Sequence, residues 1–204
     1  MSLLDKVVAA VTPPESEEQR IDVRVKARNA AMGGDWLSLV LLHHQQIESA
    51  FDAVKAASDS ATRVSAQKQL ALILTGHALA EEAVLYPALF KANEEGHSTK
   101  AYTEQAGFKV QMSLLEDLQP MSQEYLDKLE HIRDAVAHHV YQEEGTWFLD
   151  LKKKLPPADQ VKLTFRYQEQ FTRYTQGNSD DDPMGRKRVL ERSLDELKGG
   201  GVSM

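Results

Sequence analysis

The pattern His-x-x-x-Glu occurs twice, each time inside a long helix-like run. His77 and Glu81 lie in LALILTGHALAEEAVLYPAL, and His139 and Glu143 in IRDAVAHHVYQEEGTWFLDL. Side chains four residues apart share one face of an α-helix, one turn from each other. An imidazole and a carboxylate so placed can share a cation, and together they suit iron, manganese or zinc. Each pair is followed by a second glutamate and an aromatic-containing apolar stretch. The chain must therefore place two matched polar pairs on helices, and the neighbouring apolar residues decide whether they face inward.

Those residues place them inside. Residues 36–57 carry a seam of Leu37, Val40, Leu41, His44, Ile47, Phe51 and Val54. Residues 63–92 carry Leu70, Leu74, His77, Glu81, Val84 and Ala88, with Pro87 predicting a kink or an end. Residues 100–118 carry Ala101, Gln105, Phe108, Met112 and Leu115 after a turn at 93–99, and residues 122–153 carry Leu129, Ile132, Val136, His139, Glu143 and Trp147. Alternating steps of three and four are those of helices in an antiparallel bundle. Shorter helices are expected at 2–11, 16–31 and 158–175, the last an outer one, and a polar, loosely held tail from 177. Asp35 is the expected cap of the first long helix. The fold class is all-α, an antiparallel up-down-up-down four-helix bundle with additional N- and C-terminal helices. The expected divisions are 1–35 as an N-terminal helical extension, 36–154 as the bundle, 155–176 as an accessory helix and 177–204 as the tail.

Composition excludes several chemistries. The 204 residues include no cysteine, so thiolate metal sites and disulfides are ruled out and any metal must be held by His and carboxylates. A net charge of −7 argues against a nucleic-acid role driven by a basic surface. No apolar run reaches the length of a membrane span, and the start, MSLLDKVVAAV, reads as a mature N-terminus. The expected compartment is the cytoplasm.

Burying three imidazoles and two carboxylates in an apolar bundle costs many kcal/mol unless something satisfies them. A pair of divalent metals does so, with the carboxylates bridging and the imidazoles capping. His44, His77, Glu81, His139 and Glu143 are the candidate ligands. Glu82 and Glu144 are read as supporting or surface groups, with a ligand role at the i+5 position left open for either. His43, His131 and His138 are read as facing the flanks and His97 as exposed in a turn. Tyr86, Met112, Trp147 and Phe148 are read as core packing. A bundle without metal, in which these groups pair with one another, predicts instead that Glu81→Ala leaves metal content unchanged.

The order of His44 with Ile47, then His77, Glu81, Glu82, Tyr86 and Pro87, then His139, Glu143, Glu144, Trp147 and Phe148 resembles the hemerythrin-like, or HHE cation-binding, family over roughly residues 36–152. The resemblance implies a four-helix bundle holding two iron ions, with manganese or zinc as other divalent occupants. It implies oxygen binding, sensing of oxygen, nitric oxide or iron, or peroxide and nitrosative-stress chemistry. Members usually place a histidine on the third helix, where this chain has Glu104-Gln105. Glu104 could rotate in as a ligand, Gln105 could hold a water on one iron, or Tyr102 could coordinate. Each leaves an open or water-filled position, which favours small-molecule chemistry over a closed structural site. The expected function is binding of, or reaction with, a small oxidant (O2, peroxide or NO), with a peroxide- or O2-handling oxidoreductase activity left open. The alternative is a non-enzymatic, metal-dependent sensor that signals to a protein partner or a second copy through the terminal helices.

Overall fold

The computed structural model describes residues 15–92 and 94–176, and every regular element among them is helical. The expected helix at 2–11 and the polar tail from 177 lie outside these residues. Helix α1 (Glu17–Ala30) starts at a capping box in which the Ser16 hydroxyl accepts from Gln19 N and the Gln19 side chain accepts from Ser16 N. Gly34, at φ 82°, takes a left-handed turn suited to glycine. Asp35 then caps α2 (Trp36–Ala56) through Ser38 N. Asp59 caps α3 (Ser60–Ala80), which starts three residues earlier than its apolar pattern suggests because Asp59 is a good N-cap.

The two His-x-x-x-Glu helices share a device that apolar periodicity does not reveal. At Glu81–Leu85, α3 widens into a π-helical turn before continuing as α4 (Tyr86–Lys91), and Tyr86 N–H bonds Glu81 O. Pro87 neither ends nor breaks the helix, because it falls in the first turn of α4, where a missing N–H is tolerated. Helix α5 (Glu95–Glu116) begins earlier than expected and absorbs most of the expected turn at 93–99. Helix α6 (Gln123–Gln142) widens at Glu143–Trp147 and continues as α7 (Phe148–Lys154), with Phe148 N–H on Glu143 O. Such turns insert one residue into the helical ladder and recur at functional sites. Here each begins on the glutamate of its pair. Helix α8 (Pro157–Thr175) closes the described chain.

The expected seams are buried, Ala88 being half-buried. They form two apolar clusters. One gathers Trp36, Leu37, Val40, Tyr86, Leu89, Trp147, Phe148 and Tyr167. The other gathers Ile47, Phe51, Leu70, Leu74, Phe108, Met112, Leu129 and Val136. Between them along each helix lies a polar level: His44 between Leu41 and Ile47, His77 between Leu74 and Ala80, Gln105 between Ala101 and Phe108, His139 beyond Val136. Helix α2 packs on α3, and α5 on α4 and α6. Helix α8 packs on both α2 and α3, so it is not merely an outer cover. Gly76 makes this approach possible: a Cβ there would sit 2.8 Å from Thr175 Cγ2. Buried Arg63 donates to the carbonyls of Val54, Lys55, Ala57 and Pro120, satisfying the C-terminal end of α2. Among the described residues no helix is long and apolar enough to cross a membrane.

Candidate metal centre

The polar level is a convergence of side chains from three continuous helices, two of which carry a π-turn. His44 comes from α2, His77 from the last turn of α3, Glu81 and Glu143 from the first residues of the two π-turns, and His139 from α6. All five are at most 3% exposed. One donor atom each from His44, His77, Glu81 and Glu143 lies within 4.8 Å of all the others. His139 joins them through Nε2, 3.2 Å from Glu143 Oε1.

Each imidazole is held in the same sense. Its Nε2 faces the centre, 3.3 Å from Glu143 Oε2 for His44 and 3.2 Å from Glu81 Oε2 for His77. Its Nδ1 is engaged on the far side: His44 with Glu144 Oε1 at 2.9 Å, His77 with the Tyr167 hydroxyl at 2.9 Å, His139 with Glu104 Oε2 at 2.8 Å. Bonding at one ring nitrogen fixes the orientation and the lone pair of the other, as in metal-ligating histidines. The partners come from well beyond the seams. Glu144 is tied by Arg24 of α1, and Tyr167 belongs to α8 and also meets His43 Nδ1 at 2.9 Å.

Several sequence readings change here. Tyr86 packs its ring in the core, but its hydroxyl enters the centre, 3.1 Å from Glu81 Oε2, 3.0 Å from Glu143 Oε1 and 3.1 Å from His139 Nε2. The π-turn aims it there, five residues after Glu81, at a spacing an ordinary helical reading would assign to another face. Gln105 reaches the same point, its Nε2 donating to Glu81 Oε2 at 2.6 Å and to the Tyr86 hydroxyl. Tyr102 and Glu82 stay outside: the Tyr102 hydroxyl donates to Glu82 O, and Glu82 pairs with Lys109. His43 is buried against Tyr167 and Phe171 rather than facing a flank. His97 is half-buried and stacks on Trp147. His138 meets Glu15, and His131 is exposed.

The donor set fits a cation. The Tyr86 hydroxyl has one proton and three acceptors around it, so lone pairs outnumber hydrogens at the centre. His44 Nε2, Glu81 Oε1 and Glu143 Oε2 are buried with no hydrogen-bond partner; the 3.3 Å approach of His44 to Glu143 lacks hydrogen-bond geometry. Unsatisfied buried polar atoms are costly, and a positive ion among them removes that cost. Protons fill part of the role when no metal does. Burial opposes charge on His44, but the Glu143 and Glu144 carboxylates outweigh it and push its pKa up to about 9. For His139, burial is likewise outweighed by Glu143 and Glu104, and the value rises to about 10. Burial, then the charge of Glu143, raises Glu81 well above the carboxylate range. Burial, then the charge of His44, holds His77 well below the histidine range.

These shifts set opposite pH trends. A histidine whose folded value lies above 6.5 contributes stability that is complete below that pH and is lost as pH rises through the folded value. The low value of His77 acts only below its ordinary range. The melting temperature of metal-free protein is therefore expected to fall between about pH 6.5 and 10. Metal binding should tighten over the same range, because the ligands must be deprotonated. Thermal melts across this window, with and without a chelator, check both signs.

The sequence model described as the hemerythrin HHE cation binding domain matches residues 37–149. The chain belongs to this family. The match spans the helices that carry the polar level, so cation binding is the property the family and the buried cluster share. A similar protein is a DNA nickase from Nostoc sp. (strain PCC 7120 / SAG 25.82 / UTEX 2576), 29% identical over 117 residues, which are 57% of this chain and 33% of that protein. The chain thus spans about a third of that relative's length. No solved structure matches.

Proposed function

We propose that this hemerythrin-family chain holds a non-haem di-iron centre and binds or reacts with a small oxidant, O2, peroxide or NO, in stress response or sensing. The observation that carries this reading is the convergence of three imidazole Nε2 atoms and two carboxylates on one buried point where His44 Nε2, Glu81 Oε1 and Glu143 Oε2 have no hydrogen-bond partner. In it His44, His77, His139, Glu81 and Glu143 would hold the ions, the histidines through imidazole nitrogens and the two glutamates as shared carboxylates, with the Tyr86 phenol beside them as a further oxygen donor. The bound metals would supply electrons and an electrophilic position for the oxidant. The protein's own groups do the rest. Glu104, Glu144 and Tyr167 orient the imidazoles, the Gln105 amide holds Glu81 and Tyr86 by donation, and the two apolar clusters limit water at the centre.

We read the arrangement as an antiparallel up-down-up-down bundle over 36–154, because short connections favour antiparallel neighbours. Residues 1–35 are an extension, 155–176 an accessory helix and 177–204 a tail. The net charge of −7 keeps this reading to small molecules rather than nucleic acid, and the reading places the chain in the cytoplasm. Metal analysis of protein purified without chelators, with its aerobic visible spectrum, tests it. The expected result is about two iron ions per chain; less than about one metal ion of any kind overturns the reading.

A second reading is a metal-dependent sensor that signals through its terminal extensions or through self-association. The observation favouring it is that Arg24 of α1 and Tyr167 of α8 each touch a residue that holds or is a candidate ligand. Turnover of peroxide by metal-loaded protein favours the first reading. A change of oligomeric state on oxidation, without turnover, favours the second.

A further inference from the structure

A cleft of about 550 Å³ runs from the surface between α3 and α5 to His77, Gln105 and His139. These two helices barely touch each other, in contrast to the close α2–α3 and α5–α6 pairs. Its inner apolar lining includes Leu74, Phe108, Met112 and Val136, core residues that each keep 5–8% exposure where their counterparts in the other cluster are mostly sealed, while Lys68, Lys109 and Glu116 stand nearer its mouth. A diatomic oxidant needs little more than the share of one water, about 30 Å³. The cleft lies instead in the size range of sites for organic ligands, roughly 300–1,000 Å³.

At its inner end, beside His77 and His139, Gln105 leaves one polar atom unpartnered. The Gln105 amide turns its NH2 toward Glu81 Oε2 and the Tyr86 oxygen. Its carbonyl oxygen, Oε1, is left buried with no partner in a residue 2% exposed that lines the cleft. An orphan acceptor there calls for a donor carried in by a ligand. A second amide, amine or water-rich head would suit a polar pocket; the apolar walls call for a hydrocarbon body.

We propose that this cleft binds a medium-chain aliphatic molecule whose inner end carries an O–H, an alcohol or an alkyl hydroperoxide, donated to Gln105 Oε1. The choice of hydroperoxide rests on the proposed oxidant chemistry. The binding itself does not, since the cleft, its walls and the orphan oxygen belong to the chain alone. If the oxidant is a peroxide, the cleft makes it an alkyl one, admitted chain outward with the O–H end toward His77 and His139.

The full chain, metal-free and iron-loaded, can be titrated with 1-octanol and with methyl octyl ether while the methyl NMR signals of Leu74, Val136 and Met112 are followed. Octanol is expected to shift these signals saturably and to bind about ten-fold more tightly than the ether, the value of one hydrogen bond. Ala71 lines the cleft on α3, nearly two turns before His77, and Ala71→Trp, which fills the cleft there, should abolish octanol binding with metal content unchanged. Gln105→Leu should bring octanol to the affinity of the ether in metal-free protein, and tests the proposal even where the tryptophan variant does not fold. Equal binding of octanol and ether, or no shift at these methyl groups, overturns it. With iron-loaded protein, Ala71→Trp should slow consumption of octyl hydroperoxide and spare hydrogen peroxide. Octanol binding without consumption of either peroxide upholds the cleft while the peroxide branch of the oxidant reading falls. Hydrogen peroxide consumption without octanol binding does the reverse.

Discussion

Glu143→Ala is expected to reduce metal content to below about half of the unmodified chain and to lower the melting temperature by about 10 °C. Glu143 is fully buried and meets His44, His139 and Tyr86 at 3.3, 3.2 and 3.0 Å. Its removal takes away the carboxylate proposed to bridge. It also leaves two histidines, held charged in metal-free protein largely by this group, without their shared counter-charge. Breaking a buried ion pair from one side costs about 3–5 kcal/mol, and in a domain of this size each kcal/mol is worth about 2–4 °C. Elemental analysis and thermal melts, with and without a chelator, read both effects. His131→Ala, at an exposed position, is the control and should change neither. Unaltered metal content in the Glu143 variant would remove this residue from the centre.

Tyr167→Phe is expected to weaken metal binding about 10–100-fold, the usual cost of losing a group that orients a metal-ligating histidine. The ring stays, so packing of α8 against α2 and α3 is retained. Only the hydroxyl that meets His77 Nδ1 and His43 Nδ1, each at 2.9 Å, is lost. His77 Nδ1 then has no partner in a site that is 3% exposed. Competition against a chelator of known affinity measures the loss. A merely covering role for α8 predicts unchanged affinity and a small change in melting temperature. His43 reports independently: burial and the charge of His44 hold it down at about 4, so it stays neutral near pH 7 and acts as a hydrogen-bonding group to Tyr167.

The amphipathic seams carried the helices, their buried faces and the level of the polar groups. That level was legible because His44, His77, Glu81, His139 and Glu143 occupy positions that periodicity assigns to the core, where an unsatisfied charge is too costly to be incidental. The exposed face of α1 and the apolar spacing of α8 told nothing about the centre, since Arg24 and Tyr167 act across gaps of 120 and 90 residues to Glu144 and His77. No local pattern encodes a contact of that separation.

The π-turns mark the other boundary. A helical reading with 3.6 residues per turn puts Glu81 on the core face and leaves Tyr86, five residues on, out of step with it. One inserted residue per helix rotates the next turns about the axis, so that Tyr86 joins the centre and Trp147 packs beside His139. Gln105 shows the same division. Its place on a buried seam was readable, but the direction of its amide was not. The sequence by itself determined which residue types stand at the polar level. Only the packed helices decided which atoms meet there, because hydrogen-bond direction and the unpaired lone pairs depend on neighbours from every helix at once.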